Sequence, residues 1–170
     1  LRLPGIDGKA KMSKSLGNCI YLAEDPKDIK KKVMSMFTDP NHIRIEDPGS
    51  LEGNTVFTYL DAFCNDQHFE EYLPDYKNLD ELKEHYQRGG LGDVKVKKFL
   101  NNVLQEELEP IRKRREELQK DIPYVYEVLK KGSEVARETA AQTLHEVRDA
   151  MKINYFDDME LIRSQAKKYE

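Results

Sequence analysis

Residues 93–118 read DVKVKKFLNNVLQEELEPIRKRREEL, and this stretch decides the fold of the chain. Its apolar residues recur every three or four positions, which is the spacing of one face of an α-helix. They are Val96, Phe99, Leu100, Val103, Leu104, Leu108, Ile111 and Leu118. Pro110 lies within the pattern and predicts a kink, because a proline ring removes one backbone hydrogen bond. The stretch therefore predicts a long helix that begins at Asp93 and buries one apolar face.

The segments on both sides of this stretch carry the same helical period. Asn54 and Asn78 are suited to cap two earlier helices, the second of which Gly89-Gly90 would end. Asp121 predicts the start of a later helix that Gly132 closes. Ser133 would cap one more helix. The residues of this helix that would face inward are Ala136, Ala140, Leu144, Val147 and Met151. The sequence thus predicts a mainly α fold, arranged as an antiparallel helical bundle.

A shorter helix is predicted before this bundle. Asp25 is suited to the N-cap with Pro26 at the first helical position, and Asp39-Pro40 would stop the helix. Its apolar stripe would contain Ile29, Val33, Met36 and Phe37. Residues 38–54 are rich in proline and glycine and predict an ordered linker. We expect an incomplete domain at residues 1–44, a helical domain at 45–156 and a helical or frayed tail at 157–170.

Composition limits the function classes. With 170 residues, of which 38% are hydrophobic, the chain can bury one core and contains no apolar run of membrane-spanning length. A net charge of −4 argues against a general polyanion binder, so contact with RNA would need a local basic patch. Cys19 and Cys64 match no metal spacing and are expected to be reduced thiols. We expect a cytoplasmic protein with no metal site of its own and no membrane role.

A second stretch, Lys11-Met12-Ser13-Lys14-Ser15, points to chemistry and lies between Gly8 and Gly17. Two ammonium groups and two hydroxyls on a glycine-flanked loop suit the oxygens of a polyphosphate, and Met12 offers an apolar anchor. Fixed cations stabilise the charge that develops when a nucleoside triphosphate is attacked. The loop predicts a nucleotide site, and the alternative is a solvated lysine-rich loop.

Residues 3–18 resemble the second signature region of class I aminoacyl-tRNA synthetases, in the form found in bacterial tryptophanyl-tRNA synthetases. Five later blocks occur in the order expected for the carboxyl-terminal half of that family; they lie at residues 38–40, 47–49, 53–57, 92–95 and 109–112. The histidine-containing signature of class I enzymes is absent from the chain. The resemblance therefore implies a carboxyl-terminal fragment, with the signature loop as the remnant of an α/β nucleotide-binding fold.

This resemblance also implies roles for individual residues. The whole enzyme would use ATP, with Mg²⁺ bound mainly through the ATP phosphates, to activate tryptophan and charge its cognate tRNA. Lys11 and Lys14 would contact the β- and γ-phosphates as catalytic cations, while Met12, Ser13 and Ser15 would complete the ATP-binding loop.

The helical domain would bind the tRNA anticodon by the same resemblance. The basic run formed by Arg112, Lys113, Arg114 and Arg115 is the candidate for RNA contact. Glu116 and Glu117 follow it directly, so a salt-bridged helix face is the alternative.

Two other functions stay open at this point. A tyrosyl-tRNA synthetase shares the fold and mechanism, and the amino-acid pocket that would decide between the two is absent from the chain. A non-catalytic RNA-binding or protein-interaction module is the second alternative. The resemblance implies a homodimeric full-length enzyme and leaves open whether the fragment alone is monomeric.

Overall fold

The computed structural model describes residues 3–156 and 158–169, and the regular secondary structure of these residues is helical. The helices are α1 (Pro26–Met34), α2 (Thr55–Phe63), α3 (Asp66–Tyr72), α4 (Leu79–Arg88), α5 (Asp93–Gln119), α6 (Ile122–Ala150) and α7 (Met159–Ala166). Within these ranges, β pairing is limited to an isolated antiparallel bridge between Pro4 and Lys11. The predicted mainly α class is confirmed, while the antiparallel bundle stays a prediction.

Side-chain caps start the helices where the sequence placed them. Asp25 accepts a hydrogen bond from the Lys27 N–H, and Asn54 and Asn78 cap α2 and α4 in the same way. Gly89 ends α4 with a φ of +89°, a backbone conformation that residues other than glycine rarely adopt. These local rules are sufficient because each cap satisfies a backbone N–H within three residues of itself.

Two of the sequence predictions about helix extent are wrong, and one helix was not predicted. Helix α1 is capped by Ser35, before Asp39-Pro40, and the Phe37 side chain beyond it is 41% exposed. Helix α3 was not predicted, although Asn65 and the His68 side chain form a capping box at its start. Helix α6 continues through Gly132, whose backbone is not left-handed. A glycine inside a helix lowers the stability of that helix by only about 1 kcal/mol relative to alanine. Helix α5 continues through Pro110, as the sequence predicts, and the kink expected there stays a prediction.

The chain divides into two compact units between Glu117 and Leu118. In the first unit, α1 contributes Ile29 and Val33 to the same buried cluster as Leu60 of α2 and Leu100 of α5. Residues on both sides of position 44 thus share one core. The predicted domain border at 44 and 45 stays a prediction, because a shared core does not say which domain each part belongs to.

The second unit contains the end of α5, α6 and α7, and most of its apolar residues are exposed to solvent. The prediction that Ala136, Ala140, Leu144, Val147 and Met151 face inward is wrong for this unit, because α6 has no buried residue. The helices of this unit are too few to form a second layer that would cover the apolar stripe of α6. The predicted tail contains α7, and Asp157 and Glu170 lie outside the described residues. No helix in the described ranges combines the length and apolar character that crossing a membrane requires.

Candidate functional site

The lysine-rich loop is fixed at its base to the first unit. The Phe37 N–H donates to the Ile6 carbonyl over 2.9 Å, and the Tyr59 hydroxyl donates to the Pro4 carbonyl over 2.8 Å. Met12 is half-buried and packs against the hydrophobic core. Backbone, hydroxyl and apolar contacts therefore hold one side of the loop and leave the other side to solvent.

Gly8 and Gly17 flank the cations and both adopt left-handed backbone conformations, with φ values of +68° and +65°. A Cβ on Gly8 would lie 2.9 Å from Phe37 Cδ1 and 2.9 Å from Thr55 Oγ1, whereas a Cβ on Gly17 would meet no atom within 4 Å. Gly8 is therefore required both by its conformation and by close packing. Gly17 is required by its conformation alone.

The cations of the loop are exposed. Lys11 and Lys14 take part in no ion pair within the described part of the chain, and the Ser13 and Ser15 hydroxyls lie 2.9 Å apart. The carbonyl of Lys14 accepts from the Gly17 N–H, so Lys14 opens a tight turn. The arrangement presents two ammonium groups and a pair of hydroxyls to a solvent-borne anion.

A groove of about 850 Å³ lies beside the loop. One wall contains Met12, Ser13 and Lys14, and α5 contributes Ile111 and Arg115 to the lining. The groove thus has in one lining Arg115 of the predicted RNA-binding run and Lys14, one of the two predicted phosphate-binding cations. The sequence did not predict this proximity, because 101 positions separate Lys14 from Arg115.

The other members of the basic run are held by neighbours on α5. The Lys113 ammonium lies 2.7 Å from the Glu109 carboxylate, and Arg114 lies 3.1 Å from Glu117. Arg112 donates to the Gln105 side chain over 3.0 Å. Lys113 and Arg114 therefore match the salt-bridged alternative in the unbound chain. Exposed ion pairs of this kind are weak, so they leave both side chains able to exchange partners.

A second cluster, which the sequence analysis missed, surrounds Asp93 at the start of α5. The Asp93 carboxylate accepts hydrogen bonds from Thr38 Oγ1 at 2.6 Å, Tyr86 Oη at 2.7 Å and His42 Nδ1 at 3.1 Å. Burial of Asp93 raises its pKa, but these hydrogen bonds outweigh burial, so the pKa lies below its usual value. The donors come from two chain segments that sequence spacing does not connect.

Two members of this cluster, His42 and Asp93, line a second groove of about 590 Å³. Arg44, Lys95 and Lys98 supply positive charge to its lining. The His42 side chain is only 2% exposed, and its Nε2 atom is buried with no hydrogen-bond partner in the described residues. The groove therefore presents cations that suit an anionic ligand.

Cys19 and Cys64 are free thiols and form no disulfide with each other. Cys19 is buried and Cys64 is half-buried, and burial raises the pKa of the Cys64 thiol to about 12. Among the residues that the structure describes, no group of three or more His, Cys, Asp and Glu side chains is placed to hold a metal ion.

Comparison with known proteins relates this chain to enzymes of translation. The family described as tRNA synthetases class I (W and Y) matches residues 2–109. The chain is 65% identical over 158 residues to the tryptophan–tRNA ligase of Clostridium longisporum and 58% identical over 155 residues to that of Streptococcus agalactiae. These alignments cover 93% and 91% of this chain but only 44% and 43% of the relatives.

Solved structures agree with the sequence comparison. The tryptophanyl-tRNA synthetase of Campylobacter jejuni, crystallised with ADP and tryptophan, superposes with a TM-score of 0.69 at 27% identity. The match covers 89% of this chain and 44% of the crystallised one. The chain thus spans less than half the length of the proteins that it resembles.

Proposed function

Because the chain belongs to the family of tRNA synthetases class I (W and Y), we propose that it is the carboxyl-terminal part of a tryptophan–tRNA ligase. The whole enzyme would activate tryptophan with ATP and charge the cognate tRNA in the cytoplasm, as a homodimer. The observation that carries the proposal is the exposed Lys11 and Lys14 pair on a loop that is anchored to the core. Identities of 58–65% to tryptophan–tRNA ligases favour tryptophan over tyrosine.

The loop would act on the first chemical step. The carboxylate of the amino acid attacks the α-phosphorus of ATP, the bond to the bridging oxygen breaks, and pyrophosphate leaves with the electron pair. Lys11 and Lys14 would contact the β- and γ-phosphates and stabilise the charge that develops there, while Ser13 and Ser15 donate hydrogen bonds to phosphate oxygens. Catalysis by this loop is therefore electrostatic and requires no covalent enzyme intermediate.

The described residues do not fit a protein-held metal site. As the family resemblance implies, magnesium would arrive bound mainly to the phosphates of ATP, which this ion commonly coordinates. The contribution of this chain to the step lies in its own cations and hydroxyls.

The helical part would contact the anticodon of the tRNA. Two surfaces of the first unit are candidates: the run Arg112–Arg115, as the sequence predicts, and the groove lined by Arg44, Lys95 and Lys98. Unstacked bases need polar atoms to read their edges as well as cations for the phosphates. The groove supplies Arg44 and Lys98, which form no ion pair among the described residues, whereas two members of the run are ion-paired on α5.

A chimeric ligase tests the proposal, because the chain by itself lacks the rest of the pocket. In this chimeric ligase, the present chain replaces the segment of the Clostridium longisporum enzyme that it matches. We expect exchange of labelled pyrophosphate into ATP that depends on tryptophan and not on tyrosine. If the chimeric ligase folds but shows no tryptophan-dependent exchange, the proposed enzymatic function is refuted and the non-catalytic alternative remains.

Charge reversal separates the two candidate RNA surfaces. Arg44→Glu with Lys98→Glu should weaken binding of the chimeric ligase to its tRNA and reduce the salt dependence of that binding by about two phosphate contacts. Arg115→Glu reverses one charge on the predicted basic run and should reduce the salt dependence by about one phosphate contact if that run binds the RNA. If only Arg115→Glu weakens binding, the groove is not the anticodon surface, and if neither does, anticodon binding by this part of the chain is refuted.

A further inference from the structure

One buried amide side chain organises the lysine-rich loop from within. Asn18 is only 4% exposed, although it belongs to a loop whose cations are open to solvent. Its Oδ1 accepts the Ser13 N–H over 2.8 Å, and its Nδ2 donates to Asp7 Oδ1 over 3.2 Å and to the Lys11 carbonyl over 3.4 Å. We call these three hydrogen bonds the Asn18 clasp.

The clasp encloses the residues that would bind phosphate. The bond between Asn18 and Ser13 closes the backbone from Ser13 to Asn18 into a ring, and this ring contains the turn that Lys14 opens. The bond to the Lys11 carbonyl ties the other cation to the same side chain. The backbone positions of Lys11 and Lys14 therefore depend on one amide group.

Asn18 is itself fixed to the base of the loop. Its carbonyl accepts the Ile6 N–H over 2.9 Å, and its side chain lies so close to Gly5 that a Cβ there would come within 2.2 Å of Nδ2. Only an asparagine supplies an acceptor toward Ser13 and a donor toward Asp7 and Lys11 at this reach. Turning the amide over would place oxygen against two acceptors and nitrogen against a donor, so the hydrogen-bond network fixes its orientation.

We propose that Asn18 is a positioning residue for the proposed phosphate-binding loop: the clasp sets the backbone from which Lys11 and Lys14 reach the leaving pyrophosphate. The inference rests on the proposed function and adds to it a residue that does not touch the substrate. Cations act on a transition state only when they are held in place beforehand, and a shift of about 1 Å can lower a rate about a hundredfold.

The test measures tryptophan-dependent pyrophosphate exchange by the chimeric ligase. Asn18→Ala should lower kcat about tenfold to a hundredfold while the dissociation constant of tryptophan stays unchanged, because the clasp acts on the leaving group. Combined with Lys14→Ala, it should cost much less than the product of the two single losses, because both remove the same interaction. Asn78→Ala, which removes a helix cap away from the loop, is the control for loss of a structural asparagine.

A charge-matched pair keeps the test decisive if Asn18→Ala destabilises the fold. Asn18→Asp keeps the acceptor for Ser13 but places a carboxylate against Asp7, so kcat should fall. Adding Asp7→Asn restores a donor between the two side chains and should recover at least about threefold of the lost rate, which a general packing defect would not do.

The outcomes separate the inference from the proposed function. If Lys14→Ala exchanges pyrophosphate at the parent rate, the proposed role of the loop fails and the inference fails with it. If Lys14→Ala is slow while Asn18→Ala matches the parent, only the inference is overturned. Multiplicative losses in the double variant, or no recovery with Asp7→Asn, would also overturn it.

Discussion

Replacing Gly8 with alanine should destabilise the first unit more than the same change at Gly17. Both glycines have φ values near +65°, and this conformation costs an alanine about 1–2 kcal/mol. At Gly8 the new Cβ would also lie 2.9 Å from Phe37 Cδ1, well inside the ordinary carbon–carbon contact of about 3.5–4.0 Å. Relieving such an overlap costs about 1–3 kcal/mol more. We expect losses of about 2–5 kcal/mol for Gly8→Ala and about 1–2 kcal/mol for Gly17→Ala.

Urea unfolding of the 170-residue chain, followed by far-ultraviolet circular dichroism, measures both losses. Amide hydrogen exchange at Phe37 adds a local readout, because this N–H donates to the Ile6 carbonyl at the base of the loop. Gly8→Ala should accelerate that exchange and Gly17→Ala should not. Equal unfolding losses for the two variants, with equal exchange at Phe37, would refute the packing of the loop against α2 and Phe37.

Two further predictions concern the Asp93 cluster and α6. The lowered pKa of Asp93 contributes stability that is present above the unfolded pKa of about 3.9 and is lost as pH falls through the folded pKa. Asp93→Asn should therefore flatten the decrease in unfolding free energy below about pH 5, measured by urea unfolding at several pH values; an unchanged slope would contradict the hydrogen bonds described around it. Gly132→Ala should stabilise α6 by about 0.5–1 kcal/mol, because Gly132 is helical and its Cβ would meet no atom within 4 Å. Slower amide exchange around position 132 would show this, and faster exchange would mean that the helix is interrupted there.

Local rules predicted the parts of the fold that depend on neighbouring residues. Asn54 and Asn78 start helices because each accepts from a backbone N–H two or three positions later. Helix α3 escaped prediction because only His68 and Phe69 are buried in its seven residues, too few to show a helical period. The error at Gly132 arose because a glycine ends a helix only where the backbone turns left-handed, which the sequence does not encode at that position.

The candidate site likewise has a part that the sequence predicted and a part that only the structure reveals. The cations and hydroxyls of the loop were visible as a short motif, since Lys11 and Ser15 are only four positions apart. The Asp93 cluster was not visible, because Thr38 and His42 lie 55 and 51 positions before Asp93. The role of Asn18 needed coordinates too, since its contacts with Asp7 and Ser13 become apparent only when the loop is closed.

The rate of adenylate formation by the Lys14→Ala chimeric ligase tests the central claim most directly. If the exposed ammonium group of Lys14 stabilises the departing pyrophosphate, the rate should fall about a hundredfold while tryptophan binds as in the parent. Lys30→Ala, which removes an exposed lysine from α1, is the control for loss of charge alone. A Lys14→Ala rate equal to that of the parent and of Lys30→Ala would contradict the account.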